Sequence, residues 1–208
     1  MSGKFIVIEG LEGAGKSTAM GVIEELLTEQ NSLEVVTCRE PGGTPMGEEI
    51  RHLVKHFKSE EKVDSRTELL LMYASRIQLI ENIIKPALKA GKWVLCDRFF
   101  YSTYAYQGGG RGIDLSVIDS IHQAALGSFA PDLVVYMDID PKTGLQRAAG
   151  RGELDRFEKE AISFFEKTGA MYKKMLGERD EMTSVDASLT QQEVAEQVKA
   201  VLIASGIL

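Results

Sequence analysis

The sequence predicts a three-layer α/β domain. Short apolar runs alternate with longer stretches of helical period, and the runs show almost no polar face. Each is bounded by Gly, Asp or Pro. The expected strands are residues Phe5–Ile8, Glu34–Cys38, Trp93–Cys96, Leu133–Met137 and Ser184–Asp186. Runs so rich in Val, Ile and Leu suit a five-stranded parallel sheet covered on both faces, and the intervening lengths suit helical crossovers. In such sheets ligands bind beyond the carboxyl ends of the strands. With 208 residues and no repeat or low-complexity tract, one domain spanning 1–208 is expected.

Two helices can be placed from pattern. One starts at Ser65, where Ser65-Arg-Thr-Glu68 reads as a capping box, and stops at Gly91, with Pro86 kinking or dividing it. Its stripe of Leu69, Met72, Ile80, Ile83 and Ala87 contains Arg76, a guanidinium that needs either a carboxylate or a polar ligand. The other carries Phe157, Ala161, Phe164, Met171 and Met175 as a core stripe.

Composition excludes several classes. A formal net charge of −7 lacks the basic footprint of a duplex-binding protein, so no nucleic-acid partner is expected. No apolar stretch approaches the ~20 residues of a membrane span. Lys4 is followed only by Phe5 to Ile8 before Glu9, too short for a secretory core. Cys38 and Cys96 form no CxxC pair and read as reduced, partly buried thiols. A cytoplasmic protein without a membrane partner is the expectation.

The chemistry is carried first by Gly10-Leu-Glu-Gly-Ala-Gly15-Lys16-Ser17, which matches GxxxxGK[ST] after a strand and before a helix. The glycines let successive N–H groups of Gly10, Leu11, Glu12, Gly13, Ala14 and Gly15 face inward, and the helix start at Ser17 and Thr18 adds its positive end. Lys16 reaches the β- and γ-phosphates of ATP, and the Ser17 hydroxyl serves Mg²⁺. The second motif is Trp93-Val-Leu-Cys-Asp97-Arg98, a strand that ends in a carboxylate near the metal, with an arginine able to fork onto phosphate. The third is Arg147, Arg151 and Arg156 around Gly150 and Gly152, a candidate lid over about 147–156 that would place guanidinium charge on the transferring group. Its alternative is a solvated face paired with Glu153 and Asp155. His52 and His56 are spaced for a metal but have no third ligand, and read as a solvated helix face. Gly108-Gly109-Gly110 lacks the preceding strand of a dinucleotide fingerprint and reads as a flexible loop.

With these residues in hand the chain resembles the bacterial thymidylate kinases over nearly its full length. The resemblance rests on Glu9 to Ser17, Arg39-Glu-Pro-Gly-Gly-Thr44, Asp97-Arg98-Phe99, Ala105-Tyr-Gln-Gly108 and Arg151-Gly-Glu-Leu-Asp-Arg156. It implies the P-loop nucleoside monophosphate kinase fold with a lid, conversion of dTMP and MgATP to dTDP and ADP, and a homodimer packed through long helices. It implies that Arg39, Arg51 and Arg98 act around the acceptor phosphate and that Glu12 holds the deoxyribose 3′-hydroxyl. Arg76 and Gln107 would face thymine, Tyr106 would crowd the 2′ position, and the loop after Asp186 would lie near adenine, with Arg147 also on the ATP side. With no arginine in the P-loop and Arg151 in the lid, the chain is similar to the lid-arginine subtype. Met72 stands where the family usually has a phenylalanine stacked on the base. The rivals are another P-loop kinase, which would need a carboxylate base for a neutral hydroxyl, and a GTP-dependent switch, whose NKxD and DxxG motifs are absent.

Overall fold

The computed structural model describes residues 3–57, 59–150 and 155–208. The expectation for Arg151 falls outside them. Five parallel strands form one sheet in the order β2-β3-β1-β4-β5: β1 Phe5–Gly10, β2 Val35–Arg39, β3 Trp93–Asp97, β4 Leu133–Asp138 and β5 Met182–Asp186. The three inner strands are buried almost throughout, whereas the edge strands β2 and β5 are partly exposed. That gradient explains why the inner runs are continuously apolar. Register places the chemistry: Ile8 pairs with Asp97 and Gly10 with Met137, so the ends of β1 and β3 lie side by side.

The helices are α1 Lys16–Glu25, α2 Pro45–His56, α3 Ser65–Leu79, α4 Lys85–Lys89, α5 Phe100–Thr103, α6 Leu115–Leu126, α7 Pro141–Ala149, α8 Ile162–Leu176 and α9 Gln191–Ala204. No helix among the described residues is long and apolar enough to cross a membrane.

The cap of α3 and the start of α8 differ from expectation, while the long helix is divided near Pro86 as expected. The cap of α3 is Asp64, whose side chain accepts from the Arg66 N–H at 2.9 Å, and Ser65 is already helical. Glu68 is not free to complete a box because arginines from elsewhere draw it inward. The capping box is instead at Thr190 and Glu193, on α9. Pro86 is absorbed by a π-helical turn, Ile80–Ile84, in which the Lys85 N–H bonds to Ile80 O; α3 and α4 flank it. Finally, α8 begins only at Ile162: Ala161 is its exposed cap, and Phe157 is buried from the preceding turn. The face α8 buries is Phe164, Phe165, Thr168, Gly169, Tyr172 and Met175.

Residues 108–110 are not a flexible loop. They end another π-helical turn, Tyr104–Gly110, pressed against α8. A Cβ on Gly109 would lie 2.9 Å from Lys167 O, and one on Gly110 would lie 2.4 Å from the Phe164 ring. Glycine is required there by close approach, not by mobility.

Candidate active site

A cleft of about 450 Å³ opens above the carboxyl ends of β1 and β3. At one end lies the P-loop. Gly10, Gly13 and Gly15 all have positive φ, which curls the backbone into the helix start. Gly13 also meets α7 so closely that a Cβ would lie 2.0 Å from Gly144 O. Lys16 folds back to donate to Gly10 O at 3.2 Å and Leu11 O at 3.0 Å. Burial and the neighbouring Arg98 charge lower its pKa to about 8, against the pull of Asp97, Glu12 and Glu9. Ser17 and Thr18 line the same end. Asp97 Oδ1 is buried with no protein partner among the described residues, and Asp97 lines the cleft.

Arg98 occupies the middle. Its φ of 70° is unusual for a side chain of this size and turns it from the end of β3 into the cleft. Four groups hold it: Glu12 Oε1 at 2.9 Å, Tyr106 Oη at 3.1 Å, Ser102 Oγ at 3.1 Å and Tyr172 Oη at 3.4 Å. Tyr106 in turn donates to Glu12 Oε2. Burial alone would raise the Glu12 carboxyl, but Arg98, Lys16 and Tyr106 outweigh it and hold its pKa below the ordinary value.

Below this layer sits Glu9, fully buried. It accepts from the N–H groups of Phe99 at 2.8 Å and Ser102 at 3.1 Å, and from the hydroxyls of Ser102 and Tyr172, each at 2.7 Å. Burial still pushes its pKa up, with Arg98 opposing. Glu9 thus ties β1 to the turn after β3 and to α8, and fixes the scaffold from which Arg98 projects.

The far end of the cleft is lined by Met72, Arg76, Gln107 and Phe99. Arg76 is 2% exposed on α3. Its Nε donates to Glu40 Oε2 at 2.7 Å and its Nη2 to Phe99 O at 3.2 Å, with the guanidinium over the Tyr73 and Phe99 rings. Glu40 Oε1 and Arg76 Nη1 are buried without protein partners among the described residues. Burial pushes the Glu40 carboxyl up to about 7 despite Arg76. The carboxylate reading of Arg76 is met by Glu40 on one edge, and Nη1 on the other has no protein partner among the described residues.

Most of the residues expected at the site converge here, Arg51 included, which donates to Pro41 O at 2.8 Å. Arg39 does not line the cleft; it pairs with Glu48 at 2.8 Å on the surface. Arg147 turns away to Ala187 O at 2.8 Å and Ser188 O at 3.5 Å, bracing the loop after β5, where Asp186 accepts from Ser188. Arg156 is anchored by Val54 O and Glu68. His52 and His56 are exposed on α2, and no metal-ligating cluster of three occurs among the described residues. Sequence reading missed Glu9, Glu40, Glu68, Ser102 and Tyr172. The visible signal for Glu9 was a lone carboxylate in a strand buried on both faces, and for Glu40 its place beside Arg39 and Pro41.

The family model for thymidylate kinase matches residues 8–198. The chain belongs to the thymidylate kinase family. A thymidylate kinase of Shewanella sp. (strain MR-4) is 51% identical over 201 residues, covering 97% of this chain and 96% of the relative. One from Vibrio vulnificus (strain YJ016) is 50% identical over 199 residues, covering 96% and 94%. The crystal structure of thymidylate kinase from Ehrlichia chaffeensis superposes with a TM-score of 0.77 at 31% identity, covering 97% of this chain and 99% of that one. In this chain the cleft joins a P-loop at one end to a buried arginine, Arg76, at the other.

Proposed function

We infer that the chain is an ATP-dependent nucleoside monophosphate kinase that phosphorylates dTMP. The observation that carries this is the continuous cleft, with Lys16 at one end, Arg98 in the middle, and at the other end, beside Gln107 and Met72, an Arg76 nitrogen with no protein partner among the described residues. A pyrimidine fits the second end, and its phosphate points back to Arg98 and Arg51. The acceptor needs no strong base, because a monophosphate with a second pKa of about 6 is already largely dianionic at neutral pH. The protein must align two anions and screen their repulsion. Lys16 and Arg98 supply the charge, and the Glu12–Tyr106 pair holds Arg98 in place before substrate arrives. The same pair would face the sugar, where the Tyr106 ring leaves little room for a 2′-hydroxyl. This Arg-rich acceptor end disfavours a kinase of neutral hydroxyls.

Mg²⁺ fits the donor set: the Ser17 hydroxyl at the start of α1 and Asp97 Oδ1, which has no protein partner among the described residues, belong to residues lining the same cleft. When bound, the ion would neutralise phosphate charge. Arg147 and the loop after Asp186 are proposed at the adenine end, and Arg39 is proposed to add field rather than contact. Arg151 is proposed to reach the transferring group, on its place in the sequence between Gly150 and Gly152. A cytoplasmic homodimer is proposed. Its support is an exposed stripe on α3, Leu70, Ala74 and Ile77, spaced for a helix partner.

A coupled assay of ADP release across the four deoxy- and four ribonucleoside monophosphates tests the reading. dTMP should be turned over with the highest kcat/KM. A higher kcat/KM for any other monophosphate would overturn it.

A further inference from the structure

Glu68 is a fully buried carboxylate outside the cleft lining, yet it touches a residue that lines it. Its Oε1 accepts from Gln107 Nε2 at 2.8 Å and from Arg111 Nε at 3.2 Å. Its Oε2 accepts from Arg111 Nη2 at 3.2 Å and from Arg156. Both Glu68 oxygens already accept from guanidinium N–H groups, which can only donate, so each serves as an acceptor. The Gln107 amide is therefore not free to choose its orientation: the NH₂ must face Glu68. No donor among the described residues reaches Gln107 Oε1, and Gln107 lines the cleft beside Met72 and Arg76.

We propose that Glu68 is a positioning residue for base specificity: by holding the Gln107 NH₂, it presents Gln107 Oε1 to the base as an acceptor. An acceptor there pairs with the N3–H of a 4-oxo pyrimidine such as thymine. It meets the bare N3 lone pair of a 4-amino pyrimidine with like polarity. Arg76 Nη1, a donor with no protein partner among the described residues, supports the same choice, since it suits a 4-oxo group and repels a 4-amino group. Neither Arg76 nor Gln107 needs contact with Glu68 to bind a base; Glu68 removes the wrong orientation of the amide. This rests on the reading of the far end as a pyrimidine subsite.

The test compares kcat/KM for dTMP and dCMP in the wild type, Glu68→Gln and Glu68→Asp. In Glu68→Gln the new amide can turn its own NH₂ to Gln107 and let that side chain flip. Glu68→Asp keeps the charge for Arg111 and Arg156 but withdraws from Gln107, and serves if the first variant does not fold. Discrimination for dTMP over dCMP should fall about tenfold or more, the scale of one misdirected buried hydrogen bond. The KM for ATP should hold. An unchanged ratio alongside a lower Tm, or equal losses for both substrates, would overturn the inference and leave Glu68 as a clamp for Arg111 and Arg156. Failure of the substrate reading is seen separately, as a wild-type enzyme that does not turn over dTMP before any variant is made.

Discussion

Lys16 shows how one residue carries both a cost and a function. Held among the P-loop carbonyls and close to Arg98, it has a pKa lowered to about 8. A triphosphate replaces carbonyl dipoles with full negative charge, which favours the ammonium and restores its pKa. Below about pH 8 the side chain is charged both free and bound, and no proton moves. Between about 8 and the ordinary lysine value near 10.4 it is neutral when free and charged when bound, so binding takes up a proton and affinity falls as pH rises. Calorimetry of ATP binding at pH 9 in buffers of different ionisation enthalpy should show uptake approaching one proton, and almost none at pH 7. Lys16→Arg should remove the dependence. Equal heats in all buffers at pH 9 would contradict the lowered pKa. Arg98 is the companion case, since its positive φ marks where the backbone yields to aim a charge.

At the scale of elements, the π-helical turns at Ile80–Ile84 and Tyr104–Gly110 show what pattern reading resolves and what it does not. Pro86 advertised a disturbance in the long helix, and the disturbance is there, but its form as a π turn depends on neighbours that no local window contains. Gly108 to Gly110 read as a loop because three glycines lower helix propensity. The packing of α8 against them overrides propensity, and α8 lies more than fifty residues later in the chain. This separates two glycines that look alike in sequence. Gly109→Ala drives a Cβ to 2.8 Å from Met171 Cβ and 2.9 Å from Lys167 O, and should destabilise by about 1–3 kcal/mol as overpacking does. Gly21→Ala, in the open on α1, meets nothing within 4 Å and should stabilise by up to about 1 kcal/mol. Urea unfolding of both variants checks the pair; shifts of the same sign would mean that α8 does not seat on the turn as described. The strands were legible to within a residue or two because burial on both faces writes itself into composition. The P-loop and Asp97–Arg98 were legible because their chemistry is local. Glu9, Glu68 and Tyr172 were not, since each matters through partners far away in sequence.

At the scale of the whole molecule, α3 faces two ways. Its inner side supplies Met72 and Arg76 to the cleft, while Leu70 at 56% and Ile77 at 38% exposure point outward. On a helix these outer residues, with Ala74 between them, form one stripe at i, i+4 and i+7. α6 packs nearby and leaves Val117 exposed at 44%. Apolar surface of this regularity beside a functional helix suits a second copy of the chain, since a two-fold interface buries the same patch on both partners. Sedimentation of the wild type should give twice the 22.9 kDa chain mass. Leu70→Glu with Ile77→Glu would bring four carboxylates into that interface and should yield the monomer. Because the same helix holds Arg76, separation should also raise the KM for dTMP more than that for ATP. A wild type that sediments as a monomer at all concentrations would refute the dimer. A monomeric double variant with unchanged KM for dTMP would show instead that the cleft face of α3 is held within one chain, by the Glu40–Arg76 pair and the Tyr73 and Phe99 rings beneath it.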